Sequence, residues 1–149
     1  MEKIRAARIA DAVRIAEIEI FNYRLNFYPI FRSDEFYFGE LQVPALAQEH
    51  LQDETFPGET YVYDDGVVKG FVRTDGTEIK KLFVEPVLHG QGIGAKLLDH
   101  AVNNCGAHTL WALEKNVRAI AFYQRHGFRM TGEKMPEEDT SEYLVRMEK

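Results

Sequence analysis

Glycines at alternate positions, Gly90, Gly92 and Gly94, follow the apolar run Leu82-Phe83-Val84 and open an amphipathic segment. Such a turn exposes main-chain N–H groups with no side chain in the way. At a helix N-terminus those donors, with the positive end of the helix dipole, suit an anion and phosphate above all. A second group lies at Asn116, Ala119 and Tyr123. Asn116 is placed to cap a helix, and Ala119, Phe122, Tyr123 and His126 share one helical face. A phenol titrates near pH ~10, so Tyr123 keeps its proton at neutral pH and is able to donate it. Glu78 and Glu114 are carboxylates near the two segments.

The elements that must position these residues follow from the apolar pattern. Residues 3–8 read as a strand. Asp11 is placed to cap a helix running to about Asn26, with Val13, Ile15, Ala16, Ile18 and Ile20 as its apolar stripe. Residues 27–43 read as irregular and carry Phe27, Tyr28, Phe31, Phe36, Tyr37 and Phe38. Pro44 suits the first turn of a helix ending near Gln52. Glu59–Tyr63 and Val67–Thr74 flank Asp64-Asp65-Gly66, a hairpin signal, and Asp75-Gly76 turns into a strand at Glu78–Val84. A helix at 92–105 packs Ile93, Leu97, Leu98, Ala101 and Val102 on a sheet. A strand at Thr109–Leu113, a helix at 117–126 ended by Gly127, and strands at 128–133 and 142–148 complete the chain. The order is β-α-α-β-β-β-α-β-α-β-β, an α+β arrangement.

Three ligands compete for the glycine turn. Gly90-x-Gly92-x-x-Ala95 satisfies a relaxed dinucleotide fingerprint, with Glu114 near the end of the next strand as a ribose-binding acid. The context is wrong for it, because a meander precedes the strand and too little chain follows for a doubly wound sheet. A P-loop fails, because Leu97 stands where a metal-binding Ser or Thr is required. The third ligand is coenzyme A. The run His89-Gly90-Gln91-Gly92-Ile93-Gly94 after Leu82-Phe83-Val84 resembles the pyrophosphate signature of the GNAT superfamily of acetyl-CoA-dependent N-acetyltransferases. His89 replaces the usual Arg or Gln. The segment from Leu110 through Asn116, Ala119, Phe122-Tyr123 and Gly127-Phe128 is similar to that family's second cofactor segment. The resemblance is strong over residues 78–131.

The resemblance implies a single N-acetyltransferase domain over 1–149 with a mixed, mostly antiparallel sheet. That sheet splays between 78–84 and 109–113. It implies acetyl-CoA as cofactor, with His89, Gly90, Gln91, Gly92, Ile93, Gly94 and Ala95 around the pyrophosphate. Leu82, Phe83 and Val84 would pair with the pantetheine arm, and a main-chain N–H near Val84 would polarise the thioester carbonyl. Asn116 would contact that arm or hold the end of the splayed strand, Ala119 would belong to the cofactor site, and Tyr123 would protonate the leaving thiolate. Glu78 is the leading candidate base, six residues before Val84 and, by a period of two, on the face of Leu82 and Val84. Glu114 is a second carboxylate, and a base supplied by water alone remains open. The expected acceptor is a primary amine, more readily a small molecule than a protein. A non-catalytic acyl-CoA-binding module is the rival.

Composition narrows the partners. A net charge of −6 without a Lys/Arg cluster argues against nucleic acid. No apolar run approaches the ~18 residues of a membrane helix. The charged start Met1–Arg8 leads into no apolar segment, so no signal peptide is expected and a cytoplasmic setting is the default. Cys105 reads as a buried, inert thiol. His50, His100 and His108 lack metal-ligand spacing and read as structural or exposed, so no metal is expected. An exposed end strand at 142–148 is available to pair across a homodimer.

Overall fold

The computed structural model describes residues 3–149, so Met1 and Glu2 of the charged N-terminal stretch lie outside the described residues. The strands are β1 (Ile4–Ala6), β2 (Thr60–Asp64), β3 (Val68–Asp75), β4 (Glu78–Val84), β5 (Thr109–Leu113), β6 (Arg129–Pro136) and β7 (Tyr143–Glu148). The helices are α1 (Ala12–Asn26), α2 (Tyr28–Phe31), α3 (Val43–Gln52), α4 (Phe56–Glu59), α5 (Ile93–Cys105) and α6 (Val117–Arg125). They pack on a seven-stranded sheet of order β1-β2-β3-β4-β5-β7-β6. Every neighbouring pair is antiparallel except β4 and β5.

Each face of the sheet buries its own apolar cluster. One gathers Val72, Ile79 and Val84 of the sheet under Leu97, Leu98 and Ala101 of α5 and Ile120 of α6. The other places Val62 and Phe71 under Ile15 and Ile18 of α1, with Phe56 of α4 and the half-buried Phe83. Leu97 is fully shielded, and truncating such a side chain to Ala costs about 2–5 kcal/mol. The α5 stripe forms as its periodicity requires, with Val102 half-buried at its edge. The helix stops at Gly106, whose left-handed φ of 71° ends the hydrogen-bond ladder.

Several sequence expectations are corrected. Residues 27–43 are not irregular: α2 is followed by a π-helical turn, Glu35–Glu40, that folds the aromatic residues back on α1. Aromatic contacts of Tyr28 with Tyr37 and Phe38 close this segment on itself, which is why it needs no long repeat. Asp11 does not cap α1; its carboxylate instead accepts from the Arg5 guanidinium and the Arg8 N–H. Val13 is exposed, outside the α1 stripe. The last strand is not an edge. Strand β7 lies between β5 and β6, so β6, exposed along almost its whole length, ends the sheet.

Strand β4 carries the feature with most effect on the site. Its pairing with β3 slips between Arg73↔Lys81 and Thr74↔Ile79, leaving Lys80 as an extra residue. The side chains before and after Lys80 therefore change parity. Ile79, Leu82 and Val84 share the α5 face, whereas Lys81 and Phe83 join Glu78 on the α1 face. The expectation that Glu78 shares a face with Leu82 and Val84 is thus overturned by one inserted residue.

Candidate active site

Strands β4 and β5 pair in parallel only at Glu78↔Thr109 and Ile79↔Leu110. Beyond those pairs they diverge and open a wedge. Glu85 N–H donates to the Lys69 carbonyl at 2.9 Å, which fixes the alternation along β4. Phe83 turns its main-chain groups to β3, and Leu82 and Val84 turn theirs toward the wedge. The Val84 carbonyl is occupied: Asn22 Nδ2 donates to it at 2.9 Å, and a His89 ring nitrogen sits 3.0 Å away. The Leu82 groups and the Val84 N–H remain directed into the wedge, as an added extended ligand would require.

A cavity of about 450 Å³ lies on the α5 and α6 side of the wedge. Leu82, Phe83, Val84, His89, Gly90, Gly92, Ile93, Gly94, Ala95, Asn116, Ala119 and Tyr123 all line it. Gln91, also expected there, is exposed and is not part of the lining. Gly90 and Gly92 have φ of +86° and +83°, and a Cβ on either would meet only open space. These two glycines are therefore required by the backbone conformation rather than by crowding. Gly94 differs: its φ is ordinary, and a Cβ there would lie 3.5 Å from the Phe122 ring. Gly92 is the N-cap of α5 and offers no capping side chain, so the first N–H groups of the helix point at the cavity unopposed. Arg118, Arg125 and His126 add basic side chains to the same wall. This local charge offsets the acidic balance of the whole chain where an anion would sit.

A larger cavity, about 920 Å³, opens on the other side. Its walls include Tyr23, Phe27, Phe36 and Tyr37 on one side and Trp111 on another, with Glu137, Glu138, Asp139 and Glu142 at its rim. Leu82, Phe83, Asn116, Ala119 and Tyr123 belong to both cavities, so the two meet at Tyr123. Asn116 Oδ1 accepts from Ala119 N–H at 3.3 Å and caps α6 as expected. Burial pushes the Tyr123 phenol well above its ordinary value, so it holds its proton at neutral pH.

Neither carboxylate singled out from the sequence lines a cavity. Glu78 pairs with Lys80 at 3.2 Å, and the exposed Glu114 pairs with Lys134 at 2.8 Å. A buried carboxylate behind Tyr23 and Lys81 of the larger cavity's wall is one that the sequence reading missed. Glu19 of α1 is fully buried. It accepts from Tyr23 Oη at 2.7 Å and Lys81 Nζ at 2.8 Å, and His50 Nε2 lies 2.8 Å away. Burial alone would raise its pKa, but the contacts of His50, Lys81 and Tyr23 outweigh it and hold the carboxyl below the usual range. A charged residue between Ile18 and Ile20, inside an apolar stripe, was the available signal. His50 is structural, stacked on Phe56 and buried against Glu19. Cys105 is half-buried rather than fully enclosed, and burial raises its thiol pKa. No described helix is long and apolar enough to cross a membrane.

The model of the acetyltransferase (GNAT) domain matches residues 57–130, which include β2 to β5, the glycine turn, α5 and α6. Peptidyl-lysine N-acetyltransferase YjaB of Salmonella typhimurium is 37% identical over 71 residues, 48% of this chain and 49% of that protein. The chain spans about half the length of the curated relatives it matches. The solution structure of apo YjaB from Escherichia coli superposes with a TM-score of 0.77 at 23% identity, over 97% of this chain and 95% of the other. The PaiA N-acetyltransferase of Thermoplasma acidophilum, solved with coenzyme A, gives a TM-score of 0.71 at 19% identity over the whole of both chains. With the family's domain matched across the wedge and the glycine turn, and the same fold in both solved structures, this chain belongs to the GNAT family of acetyltransferases.

Proposed function

We propose that the protein transfers an acetyl group from acetyl-CoA to a primary amine. The observation that carries this reading is the meeting of the two cavities at Tyr123. The smaller cavity offers helix N–H donors and basic side chains to a pyrophosphate, and strand β4 offers main-chain groups to a pantetheine arm. Acetyl-CoA supplies the activated thioester. The Val84 N–H directed into the wedge is the donor for the developing oxyanion, and Tyr123 is the acid for the departing thiolate. The neutral amine enters from the aromatic cavity and attacks the thioester carbonyl; the C–S bond breaks, the thiolate takes the Tyr123 proton, and the proton shed by the amine nitrogen returns to the phenolate through solvent, leaving the amide and the free thiol.

The carboxylates at the rim of the larger cavity favour a cationic acceptor over an anionic one. A lysine side chain combines that charge with an apolar stem suited to the aromatic wall. The name of the YjaB relatives points the same way, so we prefer a peptidyl lysine to the free small molecule expected from the sequence. Glu78, displaced from the wedge, is not part of this reading. The test is thiol release from acetyl-CoA with lysine peptides and small amines in parallel. Acceptor-dependent release supports the proposal. Tight coenzyme A binding without turnover on any amine would leave a binding module instead.

A further inference from the structure

We propose that Glu19 positions the acceptor amine, acting through the hydroxyl of Tyr23. This rests on the transferase reading, since it assigns the acceptor's place in the larger cavity. Every group packed against the Glu19 carboxylate is able to donate: His50 at one oxygen, Tyr23 and Lys81 at the other. A buried carboxylate surrounded by donors stays ionised and holds them in place. The single proton of Tyr23 is thereby committed to Glu19. A phenol that donates inward keeps only lone pairs for its other contacts. Tyr23 lines the larger cavity, and its ring meets Phe83 edge-on, 5.4 Å between centroids. Phe83 is shared by both cavities. The Tyr23 oxygen is thus an acceptor beside the wedge, suited to an amine N–H. Lys81, bound to the same Glu19 oxygen, adds an ammonium to the wall and disfavours an amine at that point. The pair selects one docking point.

This role differs from that of Tyr123. Glu19 touches neither substrate; it sets which way the Tyr23 proton points. A phenol freed from Glu19 is able to turn its proton into the cavity and would then repel an ammonium.

The experiment uses the coenzyme A complex of protein labelled with 13C at the tyrosine ζ carbons, titrated with n-butylamine. The Tyr23 resonance is assigned by its loss in Tyr23→Phe. A saturable shift of that resonance is expected in the wild type. Tyr23→Phe and Glu19→Gln are expected to weaken amine binding about fivefold, the loss of one hydrogen bond, with coenzyme A affinity unchanged. If Glu19→Gln fails to fold, Tyr23→Phe with the wild-type titration still decides the question. No saturable shift, or unaltered amine affinity in Tyr23→Phe, overturns the proposal. An amine that shifts Tyr23 yet is never acetylated supports this inference and sinks the transferase reading. Acetylation of butylamine by Tyr23→Phe at the wild-type KM does the reverse.

Discussion

Asn22, buried near the C-terminal end of α1, donates through Nδ2 to the carbonyl of Val84 at the end of β4, 2.9 Å away. The same nitrogen donates to the Ile18 carbonyl at 2.8 Å. One amide therefore ties the first helix to the strand end that borders the wedge, beside the His89 contact to the same carbonyl. Asn22→Ala removes both donors and leaves a buried carbonyl short of a partner. The expected outcome is a stability loss of about 1–3 kcal/mol and weaker coenzyme A binding. Urea unfolding and calorimetric titration read the two effects; unchanged values in both would show that the tie is dispensable.

Gly92→Glu is expected to abolish cofactor binding. The φ of +83° disfavours any side chain, and the added carboxylate projects into the space where phosphate would sit. Gly92→Ala shares the backbone strain without the charge and should lose less. Titration with coenzyme A checks this, and micromolar affinity in a folded Gly92→Glu variant would contradict it.

Removing the Tyr123 hydroxyl should separate chemistry from binding. Tyr123→Phe is expected to lower kcat about 10²-fold, the usual contribution of a positioned acid, with coenzyme A affinity kept. A large affinity loss would make the residue structural. Pre-steady-state thiol release with a saturating amine is the appropriate assay.

Glu19 links stability to acid pH. Its folded-state pKa is lowered, so as pH falls the unfolded chain takes up this proton first. Its contribution is therefore present above the ordinary glutamate range, near pH ~4.3, and lost as pH falls through the lower folded value. The melting temperature of Glu19→Gln should vary less with pH across that window than the wild type's. Parallel slopes would show that the carboxylate is not ionised in the folded chain.

Gly70 should tolerate no side chain. A Cβ there would lie 2.9 Å from the Phe83 carbonyl oxygen and 3.0 Å from Leu97 Cδ1. Since the oxygen belongs to backbone, it does not yield cheaply. Gly70→Ala is expected to cost about 1–3 kcal/mol in thermal or urea unfolding.

The parts of the site that were legible in the sequence are those fixed by local chemistry. Gly90 and Gly92 announce positive φ, Asn116 announces a cap, and the α5 stripe announces its buried face. Each depends on residues within a turn or two of itself. What escaped depends on distant partners. Glu19 reads as an interruption until His50, Lys81 and Tyr23 are brought around it. Asp11 has the residue type of a cap, but Arg5 outcompetes the helix for its carboxylate. The π-helical turn at Glu35–Glu40 follows from aromatic packing that no short period encodes.

The extra residue at Lys80 makes the length of β4 as consequential as its composition. The strand consists of two stretches in opposite phase. Deleting Lys80 would merge them into one regular strand and leave every other side chain on its present face, whereas pairing Lys80 in regular register would exchange inside for outside over one stretch. With Lys80 so paired and the Glu78 end anchored, Leu82 and Val84 would turn to α1, while Lys81 and Phe83 would turn to the apolar layer beneath α5. A sequence lacking the extra residue and aligned here without a gap would match residues that lie on opposite faces of the sheet.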